Sequence, residues 1–483
     1  MIEPPDDPLF VEIPIEDEAA EDAPMAYSNI HFNNDVGYSD AFVECYGRKI
    51  RFVAEEGQWI IFDDKSGWHR DSSAEVLSLF SDFARELYEE ALKAAAGQDP
   101  KEAAGKISAA ARLGDVRRIN AALQIAKANR RLVVSVGALD QNAELLGTRN
   151  GVVSLRDGSF MPHTPDQLVT RAVACDFDTK ADCPTFLHFL EEVQPDPDMR
   201  GFLQRLCGYT LTGNMGEHIL PFHYGVGANG KGTFLEQTLF HIMGSYAAKL
   251  TDSLVYVDKR GNIPHLEIAG LCGVRFALGE ENADGGNLNE ALLKGMSGGD
   301  RQKGRFHYKP FFEFAPTAKI HLVGNHRPRI SGRDDGIWRR FRLIDWPVKI
   351  PEERRNLKLR EKLEPEFSGI LNWMIAGALA LGERGTRPPV SVMTATEKFR
   401  EDSDAFGDFL REKTVEDSEG EISKGELYST YKAYCDDQDI LQRFRLTQRT
   451  FNLRIVERGY GEGKAHEGVK IWRGIRSRRA LDE

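Results

Sequence analysis

The sequence lacks the features of a membrane or secreted protein. No uninterrupted apolar run among its 483 residues approaches the roughly 20 residues that a membrane-spanning helix requires. The N-terminus has no basic region followed by an apolar stretch, so no secretory signal is predicted. We therefore expect a cytoplasmic protein without a membrane role.

The sequence also lacks a zinc-binding pattern. Its six cysteines are scattered, without a C-x-x-C pair and without the histidine spacing of a zinc site. We expect these thiols to be reduced and structural. They are Cys45, Cys175, Cys183, Cys207, Cys272 and Cys435.

A general excess of positive charge is missing as well. The net charge of −12 excludes a uniformly basic surface. A protein that binds a polyanion can nevertheless confine its positive charge to a channel, so the placement of charge decides more than the total.

The length exceeds that of one compact domain, because single cores usually stop growing well below 483 residues. The first 28 residues hold nine acidic side chains and no basic ones, which predicts a disordered tail. The predicted organisation is an acidic tail (1–28), a mainly helical N-terminal domain with a small β region (29–218), a P-loop core (219–350), a helical lid and linker (351–400) and a small α/β module (401–483).

Hydrophobic periodicity predicts the elements before the P-loop. Short apolar runs between turns indicate strands in hairpins over residues 28–71. Three-to-four spacing predicts helices over residues 73–146, and residues 185–216 are also expected to be helical. Between them, Asn-Gly and Asp-Gly pairs bound a turn-strand-turn unit over residues 150–158.

The most informative segment is a glycine-rich loop that matches G-x-x-x-x-G-K. It follows an apolar run at 219–222 and precedes a helix that is predicted to begin near Thr233, which is the context that a phosphate-binding loop requires. Backbone N–H groups would surround the phosphates and Lys231 would neutralise them. Gly232 stands where Ser or Thr usually ligates Mg²⁺, so Thr233 is expected to serve instead. The predicted ATP-binding residues are Gly225, Val226, Gly227, Ala228, Asn229, Gly230, Lys231, Gly232 and Thr233.

Polar residues that follow two later apolar strands are candidates for catalysis. Glu280 and Glu281 end the first strand, where an acid can hold Mg²⁺ and another can orient the attacking water. Asn325 ends the second and could sense the γ-phosphate. Arg339 and Arg340 are candidates for an arginine finger, although acidic strand ends and surface arginine pairs are also common without such roles.

Two segments have the composition of nucleic-acid contacts. Residues 301–309 hold four fixed positive charges interleaved with aromatic residues, which suits phosphate contacts and base stacking. Residues 441–480 hold eleven Lys and Arg against three Glu. Helical stretches around residues 424–435 and 447–458, followed by a wing strand over residues 469–473, give a winged-helix pattern. A solvated charge run and a charge-balancing tail are the alternatives. The predicted DNA contacts are Lys303, Arg305, His307, Lys309, Arg445, Arg449, Arg454 and Arg473.

Taken in order, these motifs resemble the superfamily 3 helicases, and most closely the phage and plasmid primase-helicase branch that includes poxvirus relatives. The resemblance extends to residues 293–300, 312–317, 324–328 and 338–340. It implies an AAA+-like P-loop motor with a central β-sheet, preceded by a mainly helical domain and followed by a winged-helix module. It also implies a homo-hexamer that binds ATP between subunits and grips single-stranded DNA with a hairpin in its pore.

The sequence therefore predicts an ATP-dependent DNA helicase for phage or plasmid replication. ATP and Mg²⁺ are the expected cofactors, with Thr233 and Glu280 as the metal ligands, and single-stranded and forked DNA are the expected partners. One alternative is an ATP-switched origin-binding initiator that does not unwind processively. Another is a primase-helicase. It is disfavoured because no zinc module or acidic triad for nucleotidyl transfer is evident, so that a separate primase or polymerase would supply primers.

Overall fold

The computed structural model describes most of the chain and divides it into two compact units, Met1–Thr396 and Glu397–Glu483. The predicted acidic tail lies outside the described residues, and so does Glu281. The described residues are 34–95, 99–257, 264–280, 287–328, 330, 335–356, 358–403, 405–438, 445–465 and 468–478.

The first unit begins with a small α/β region. Its four-stranded sheet has the order β3-β2-β1-β4, and β1, β2 and β3 form consecutive antiparallel hairpins. Helices cover this sheet and share a core with it that includes Phe42, Phe80 and Phe83. The elements are α1 (Asp35–Tyr46), β1 (Ile50–Val53), β2 (Gln58–Asp63), β3 (Gly67–Arg70), α2 (Glu75–Ala94), α3 (Pro100–Leu113), α4 (Val116–Ala126) and β4 (Val133–Val134).

A three-stranded antiparallel sheet and two helices connect this region to the P-loop. Proline at the first turn and an aspartate cap mark the start of the second helix, where the Asp196 side chain accepts a hydrogen bond from the backbone N–H of Asp198. The elements are β5 (Leu145–Gly147), β6 (Val152–Ser154), β7 (Phe160–Met161), α5 (Pro184–Val193) and α6 (Pro197–Leu211).

The centre of the first unit is a five-stranded sheet of the order β14-β8-β13-β10-β9, in which every pairing is parallel. The predicted α/β architecture with a parallel sheet is thus confirmed. The elements are β8 (Leu220–Tyr224), a π-helical segment (Thr233–Phe240), α7 (His241–Met243), β9 (Ala247–Lys249), α8 (Asp252–Val255), α9 (His265–Gly270), β10 (Phe276–Glu280), α10 (Glu290–Ser297), β11 (Gln302–Arg305), β12 (Phe311–Phe314), β13 (Lys319–Gly324), α11 (Asp335–Trp338) and β14 (Phe341–Asp345).

Helices after the sheet return to pack against those that precede it. α13 lies against α6, and the two approach closely because a Cβ atom on Gly377 would stand 2.1 Å from the carbonyl oxygen of Gln204. One core therefore includes Phe202 of α6, Phe276 of β10 and Ile370 of α13. The helices are α12 (Leu359–Leu363), α13 (Phe367–Leu379), α14 (Leu381–Arg384) and α15 (Val390–Asp402).

The second unit is a small α/β fold with its own core around Phe409, Phe451 and Trp472. Its antiparallel sheet has the order β15-β17-β16. The elements are α16 (Ala405–Lys413), β15 (Thr414–Ser423), α17 (Lys424–Asp437), α18 (Gln448–Glu457), β16 (Gly461–Lys464) and β17 (Lys470–Ser477).

Two secondary-structure predictions near the N-terminus were wrong in part. Residues 35–46 form α1 rather than a strand; Asn34 caps this helix, and Tyr38, Phe42 and Val43 form its buried face. The predicted helical stretch of residues 73–146 ends at Ala126, because the β-branched pair Val133-Val134 pairs with β1.

None of the helices in the described residues is both long and apolar enough to cross a membrane. All six cysteines have free thiols.

Candidate functional site

The glycine-rich loop leaves the C-terminal end of β8, as predicted, and leads directly into a helix. Gly225 lies where a Cβ atom would stand 2.1 Å from Nδ2 of Asn229 and 2.9 Å from the carbonyl oxygen of Trp346, so only glycine fits. Gly230 has a φ of +85° and would direct a Cβ atom to 2.8 Å from Val193. Both glycines of the motif are thus required by the local packing.

The loop surrounds a cavity of about 420 Å³ at the C-terminal edge of the parallel sheet. This edge is where ligands bind in open α/β sheets. The cavity brings together Lys231 and Thr233 of the loop, Glu280 at the end of β10 and Asn325 after β13. The residues that line it are Gly227, Ala228, Asn229, Gly230, Lys231, Gly232, Thr233, Glu236, Gln237, Glu280, Val323, Gly324 and Asn325.

Lys231 is buried, with 5% of its surface exposed, and its ammonium group is surrounded by oxygen acceptors. Nζ donates to the carbonyl oxygen of Gly225, to that of Gly324 at 3.0 Å and to Oδ1 of Asn325 at 3.0 Å. All three of these acceptors are neutral oxygens. Lys231 also connects the phosphate loop directly to the end of β13.

Glu280 is paired with a residue that the sequence did not single out. Nζ of Lys249, the last residue of β9, donates to Oε1 of Glu280 and lies 3.7 Å from Oε2 of Glu236. Because β9 and β10 are parallel neighbours, the two side chains project from adjacent strand ends. The position of a basic residue next to an acidic strand end becomes visible only once this strand pairing is known.

The oxygen ligands that Mg²⁺ prefers are present in the cavity. Thr233 and Glu280 line the same space, and carboxylate and hydroxyl oxygens are hard ligands suited to this ion. The hydroxyl group of Thr233 forms no hydrogen bond among the described residues, so it is available as a ligand. The residues therefore fit the predicted metal, whereas Gly232 has no side chain that could be a ligand.

A chain of hydrogen bonds with a fixed direction lies under the cavity. It was not predicted from the sequence. Nε1 of Trp346 donates to Nδ1 of His223 at 3.2 Å, and Nε2 of His223 lies 3.2 Å from Nδ1 of His321. Nε2 of His321 then contacts Oγ1 of Thr210 at 3.0 Å. Because the indole only donates, it fixes both imidazoles as neutral Nε2–H tautomers.

The two histidines are kept neutral by their surroundings. Burial lowers the pKa of His321 to about 3, and the charge of Lys319 acts in the same direction. Burial also lowers the pKa of His223 well below its usual value, with further contributions from His321 and Lys231. The chain therefore connects β8, β13 and α6 without carrying a charge at neutral pH.

Arg339 and Arg340 lie at the opposite edge of the sheet from the cavity. They precede β14, whose Phe341 pairs with Leu220 and whose Asp345 pairs with Tyr224. The five residues of β8 thus separate them from the phosphate loop by roughly 16 Å along the strand direction. Neither arginine belongs to the cavity of its own chain.

The two arginines differ in their surroundings. Arg340 is half-buried, and its Nη1 donates to the carbonyl oxygen of Gly336 at 2.6 Å. Arg339 is exposed, and its side chain forms no hydrogen bond or ion pair among the described residues.

The predicted basic segment forms an antiparallel hairpin of β11 and β12. Lys303 and Arg305 project from its exposed face, where they lie 5.0 Å and 4.8 Å from the ring centre of Phe311. At the turn, Tyr308 is completely exposed in a left-handed conformation with a φ of +58°. His307 and Lys309 flank it, and the ammonium group of Lys309 lies against Gly57 of the N-terminal sheet.

The predicted DNA contacts of the second unit are mostly engaged within that unit. Arg445 forms an ion pair with Asp436 at 2.5 Å, and Arg473 forms one with Glu421 at 3.2 Å. Arg454 lies over the ring of Phe406, whereas Arg449 is exposed on α18. Sequence reasoning missed the acidic partners because they lie on other elements of the unit.

Comparisons with known proteins agree with the resemblance predicted from the sequence. Residues 39–195 match the family described as "D5 N terminal like". "Putative helicase L207/L206" of Acanthamoeba polyphaga mimivirus is 27% identical over 321 residues, which cover 61% of this chain and 33% of that protein. "Putative helicase 022R" of Frog virus 3 is 28% identical over 276 residues, which cover 53% of this chain and 28% of that protein.

A third relative carries a primase name. "Putative primase C962R" of African swine fever virus (strain Badajoz 1971 Vero-adapted) is 24% identical over 326 residues, which cover 59% of this chain and 32% of that protein. The chain spans about a third of the length of the curated relatives it matches. Together with the family match, these names confirm the predicted relation to the viral primase-helicases.

Similar solved structures include two of the NrS-1 C terminal region. One has a TM-score of 0.47 at 10% identity and covers 91% of this chain and 98% of that chain. The other has a TM-score of 0.48 at 10% identity, with coverage of 92% and 99%.

Proposed function

We propose that this chain, a relative of the D5-type viral primase-helicases, is an ATP-driven DNA helicase of superfamily 3 that acts in phage or plasmid replication. The observation that carries the proposal is the single cavity that combines Lys231, Thr233, Glu280 and Asn325. A cation, a hydroxyl group, a carboxylate and an amide at the edge of a parallel sheet are the groups that ATP hydrolysis requires.

Each group has a distinct task in phosphoryl transfer to water. The backbone N–H groups of the loop surround the phosphates, and Lys231 leaves its carbonyl acceptors to neutralise the β and γ oxygens. Asn325 accepts a hydrogen bond from Lys231. Its contact therefore changes when Lys231 moves to the γ-phosphate. Bound Mg²⁺ would be held by Thr233 and Glu280 and supplies charge neutralisation at the transferred phosphoryl group.

Glu280 also orients the attacking water. In the structure Lys249 holds its carboxylate, so this ion pair opens before Glu280 accepts a proton. Glu281 is the alternative for the same task.

The connection from hydrolysis to DNA follows from chain order. Glu280 ends β10 and Asn325 follows β13, and the β11–β12 hairpin lies between these strands in the sequence. A change at either strand end is therefore transmitted to the hairpin. Lys303 and Arg305 on its exposed face contact the phosphates of single-stranded DNA, with His307 and Lys309 at the turn.

We further propose an AAA+-like ring, with a hexamer as the expected form, in which Arg339 completes the site of the neighbouring subunit. The strand register supports this, because Arg339 is too far from the cavity of its own chain to act there. Arg339 is preferred over Arg340 because it is exposed and its side chain is not held by the described residues.

The second unit is proposed to be a winged-helix DNA-binding module. Its order of helix, strand, helix, helix, strand and strand, with the sheet order β15-β17-β16, supports this assignment. Arg449 is placed to contact a phosphate directly. Arg445 and Arg473 would first have to leave Asp436 and Glu421.

DNA-stimulated ATP hydrolysis tests the proposal. With Mg²⁺ present, we expect single-stranded DNA to raise the turnover of the native chain, and Lys231→Ala to lower it on the order of 10²-fold or more. Lys180→Ala, which removes an exposed lysine outside the cavity, is the matched control and should retain turnover. Equal turnover in the two variants would refute the assignment of the ATP site.

Two alternatives share this ATP site. An ATP-switched initiator would bind DNA through the second unit and hydrolyse ATP without separating strands. A primase-helicase would in addition synthesise primers, and the primase name of one relative supports this alternative. Otherwise a separate primase or polymerase supplies them.

A further inference from the structure

A second cavity, of about 550 Å³, lies apart from the ATP site. The N-terminal β-sheet forms one wall and the turn of the β11–β12 hairpin forms another. Its polar and aromatic lining includes Gln58, Arg70, Arg171, Phe306, His307 and Lys309. The volume lies within the range of small-ligand sites, about 300–1,000 Å³, and is too small for a duplex.

The cavity has a surplus of positive charge. Among the described residues, Glu56 is its one lining carboxylate, and it is already occupied by Arg70, with bonds of 2.9 Å and 2.7 Å. The guanidinium of Arg171 instead donates to the carbonyl oxygens of Ser245 and Cys272, which are neutral. Lys309 lies against the backbone of Gly57. Arg171 and Lys309 thus keep their charges for an anion.

A further acid, Asp140, does not cancel this charge by contact. Asp140 acts on Arg171 electrostatically, but its oxygens accept hydrogen bonds from the backbone N–H and Oγ1 of Thr170, at 2.7 Å and 2.6 Å. It remains outside the cavity lining.

An aromatic wall stands beside the cations. The ring of Phe306 stacks on Phe312 with centres 5.1 Å apart and an interplanar angle of 17°, which fixes its orientation. His307 is adjacent in the lining. Rings next to fixed positive charges are the combination that binds single-stranded nucleic acid, with bases against the rings and phosphates on the cations.

We propose that this cavity binds a nucleotide of the single strand that the hairpin contacts, so that the N-terminal sheet forms one side of the DNA path. The inference rests on the proposed function and adds a second surface to it. A strand is favoured over a free nucleotide because one wall of the cavity is the turn of the hairpin. The same hairpin carries Lys303 and Arg305 side by side on its exposed face.

The test adds a negative charge to the cavity without altering the hairpin. Gln58→Glu on β2 replaces an amide by a carboxylate of nearly the same shape and also removes the hydrogen bond that Nε2 of Gln58 donates to the carbonyl oxygen of Asp71 at 3.1 Å. Gln124→Glu on the exposed face of α4 is the control for the added charge. Affinity for fluorescein-labelled dT30 is measured by anisotropy over a salt series, after thermal unfolding has established that both variants are folded. We expect Gln58→Glu to weaken binding roughly tenfold, and Gln124→Glu to match the native chain.

A second measurement does not depend on any variant. The native chain is photo-crosslinked to dT30 that contains 4-thiothymidine, and the crosslinked peptides are identified. Crosslinks to peptides of β1–β3 in addition to the hairpin would support the proposal. Crosslinks confined to the hairpin or the second unit, or equal affinities of the two glutamine variants, would overturn it.

The outcome separates the cavity from the general function. Lys303→Ala, which changes the exposed face of the hairpin, weakens DNA binding if the proposed helicase function is correct, whether or not the cavity takes part. Weakening by Lys303→Ala alone refutes the cavity. No effect of Lys303→Ala, together with loss of binding in Gln58→Glu, refutes the hairpin assignment instead.

Discussion

At the residue scale, the site depends on the buried ammonium group of Lys231, whose hydrogen-bond acceptors lie at the ends of two strands. Lys231 contacts Gly225 after β8 and Gly324 and Asn325 at β13. A buried charge is costly unless it is hydrogen-bonded, and these oxygens compensate it while no phosphate is present. The same contacts make Asn325 sensitive to whatever Lys231 binds.

The carboxylate of Glu280 is predicted to act in hydrolysis rather than in nucleotide binding. Glu280→Gln removes the proton acceptor and a proposed Mg²⁺ ligand but keeps the shape of the side chain, so we expect turnover to fall on the order of 10²–10⁴-fold while affinity for a fluorescent ATP analogue, measured without Mg²⁺, changes little. Glu236→Gln, the other carboxylate near Lys249, is the control and should have a much smaller effect. A loss of affinity without a loss of turnover would assign Glu280 to binding alone.

The sequence predicts the site residues whose roles depend on local spacing. Gly225, Gly230 and Lys231 occupy the positions that a phosphate loop requires, and the structure explains both glycines by close approaches. Lys249 was not predictable, because nothing in its own segment shows that it ends the strand beside β10. For the same reason, the acidic partners of Arg445 and Arg473 became visible only in the folded unit.

At the scale of elements, the chain of Trp346, His223, His321 and Thr210 fixes two strands of the sheet to α6. Thr210 and His321 are 111 residues apart in the sequence, so no local pattern announces their contact. A second proton on either imidazole would occupy Nδ1, the nitrogen that accepts a hydrogen bond in this chain. The register of β8 and β13, and with it the position of Asn325 relative to the loop, therefore depends on neutral imidazoles.

This dependence predicts a loss of stability in mild acid. Both histidines have a lower pKa in the folded chain than the value of about 6.5 in an unfolded one. The unfolded state therefore binds more protons below this pH, and the free energy of unfolding should fall as the pH is lowered from 6.5 towards 5. The expected slope is about 1.4 kcal/mol per pH unit for each histidine.

Urea unfolding at several pH values measures this slope. We expect His321→Gln to be less stable at pH 7 and to show a smaller dependence on pH between 6.5 and 5. His188→Gln, at an exposed position of α5, should behave as the native chain does. An unchanged slope in His321→Gln would mean that other groups cause the acid sensitivity.

At the scale of the whole molecule, the proposed ATP site is divided between subunits. The parallel register places the cavity at one edge of the sheet and Arg339 at the other. One chain therefore carries both parts of the proposed ATP site but does not bring them together. Such a heterologous contact closes into a ring when successive subunits are rotated appropriately.

Mixing two inactive variants tests this division. Arg339→Ala should lower turnover on the order of 10³-fold, whereas Arg340→Ala should retain much more activity. Subunits with Lys231→Ala still provide Arg339 to a neighbour, so mixing them with Arg339→Ala subunits should restore part of the turnover. If the mixture stays inactive, or if Arg340→Ala is the more damaging change, the assignment of Arg339 is wrong.

Part of the architecture follows from the sequence at this scale. The alternation of strands and helices after residue 219 correctly predicts a parallel sheet, because the connections between the sheet strands are long enough for the crossovers that parallel neighbours require. The shared core of α6, α13 and β10 was not predictable, since it joins segments more than 150 residues apart. That core places the helices on both sides of the P-loop within one compact unit.

Unwinding of a forked DNA duplex by the native chain with ATP and Mg²⁺, compared with Lys231→Ala, tests the proposed helicase function most directly. We expect strand separation by the native chain and none by the variant. If the native chain hydrolyses ATP and binds DNA but never separates the strands, even with partner proteins added, the helicase assignment is contradicted and an ATP-switched initiator takes its place.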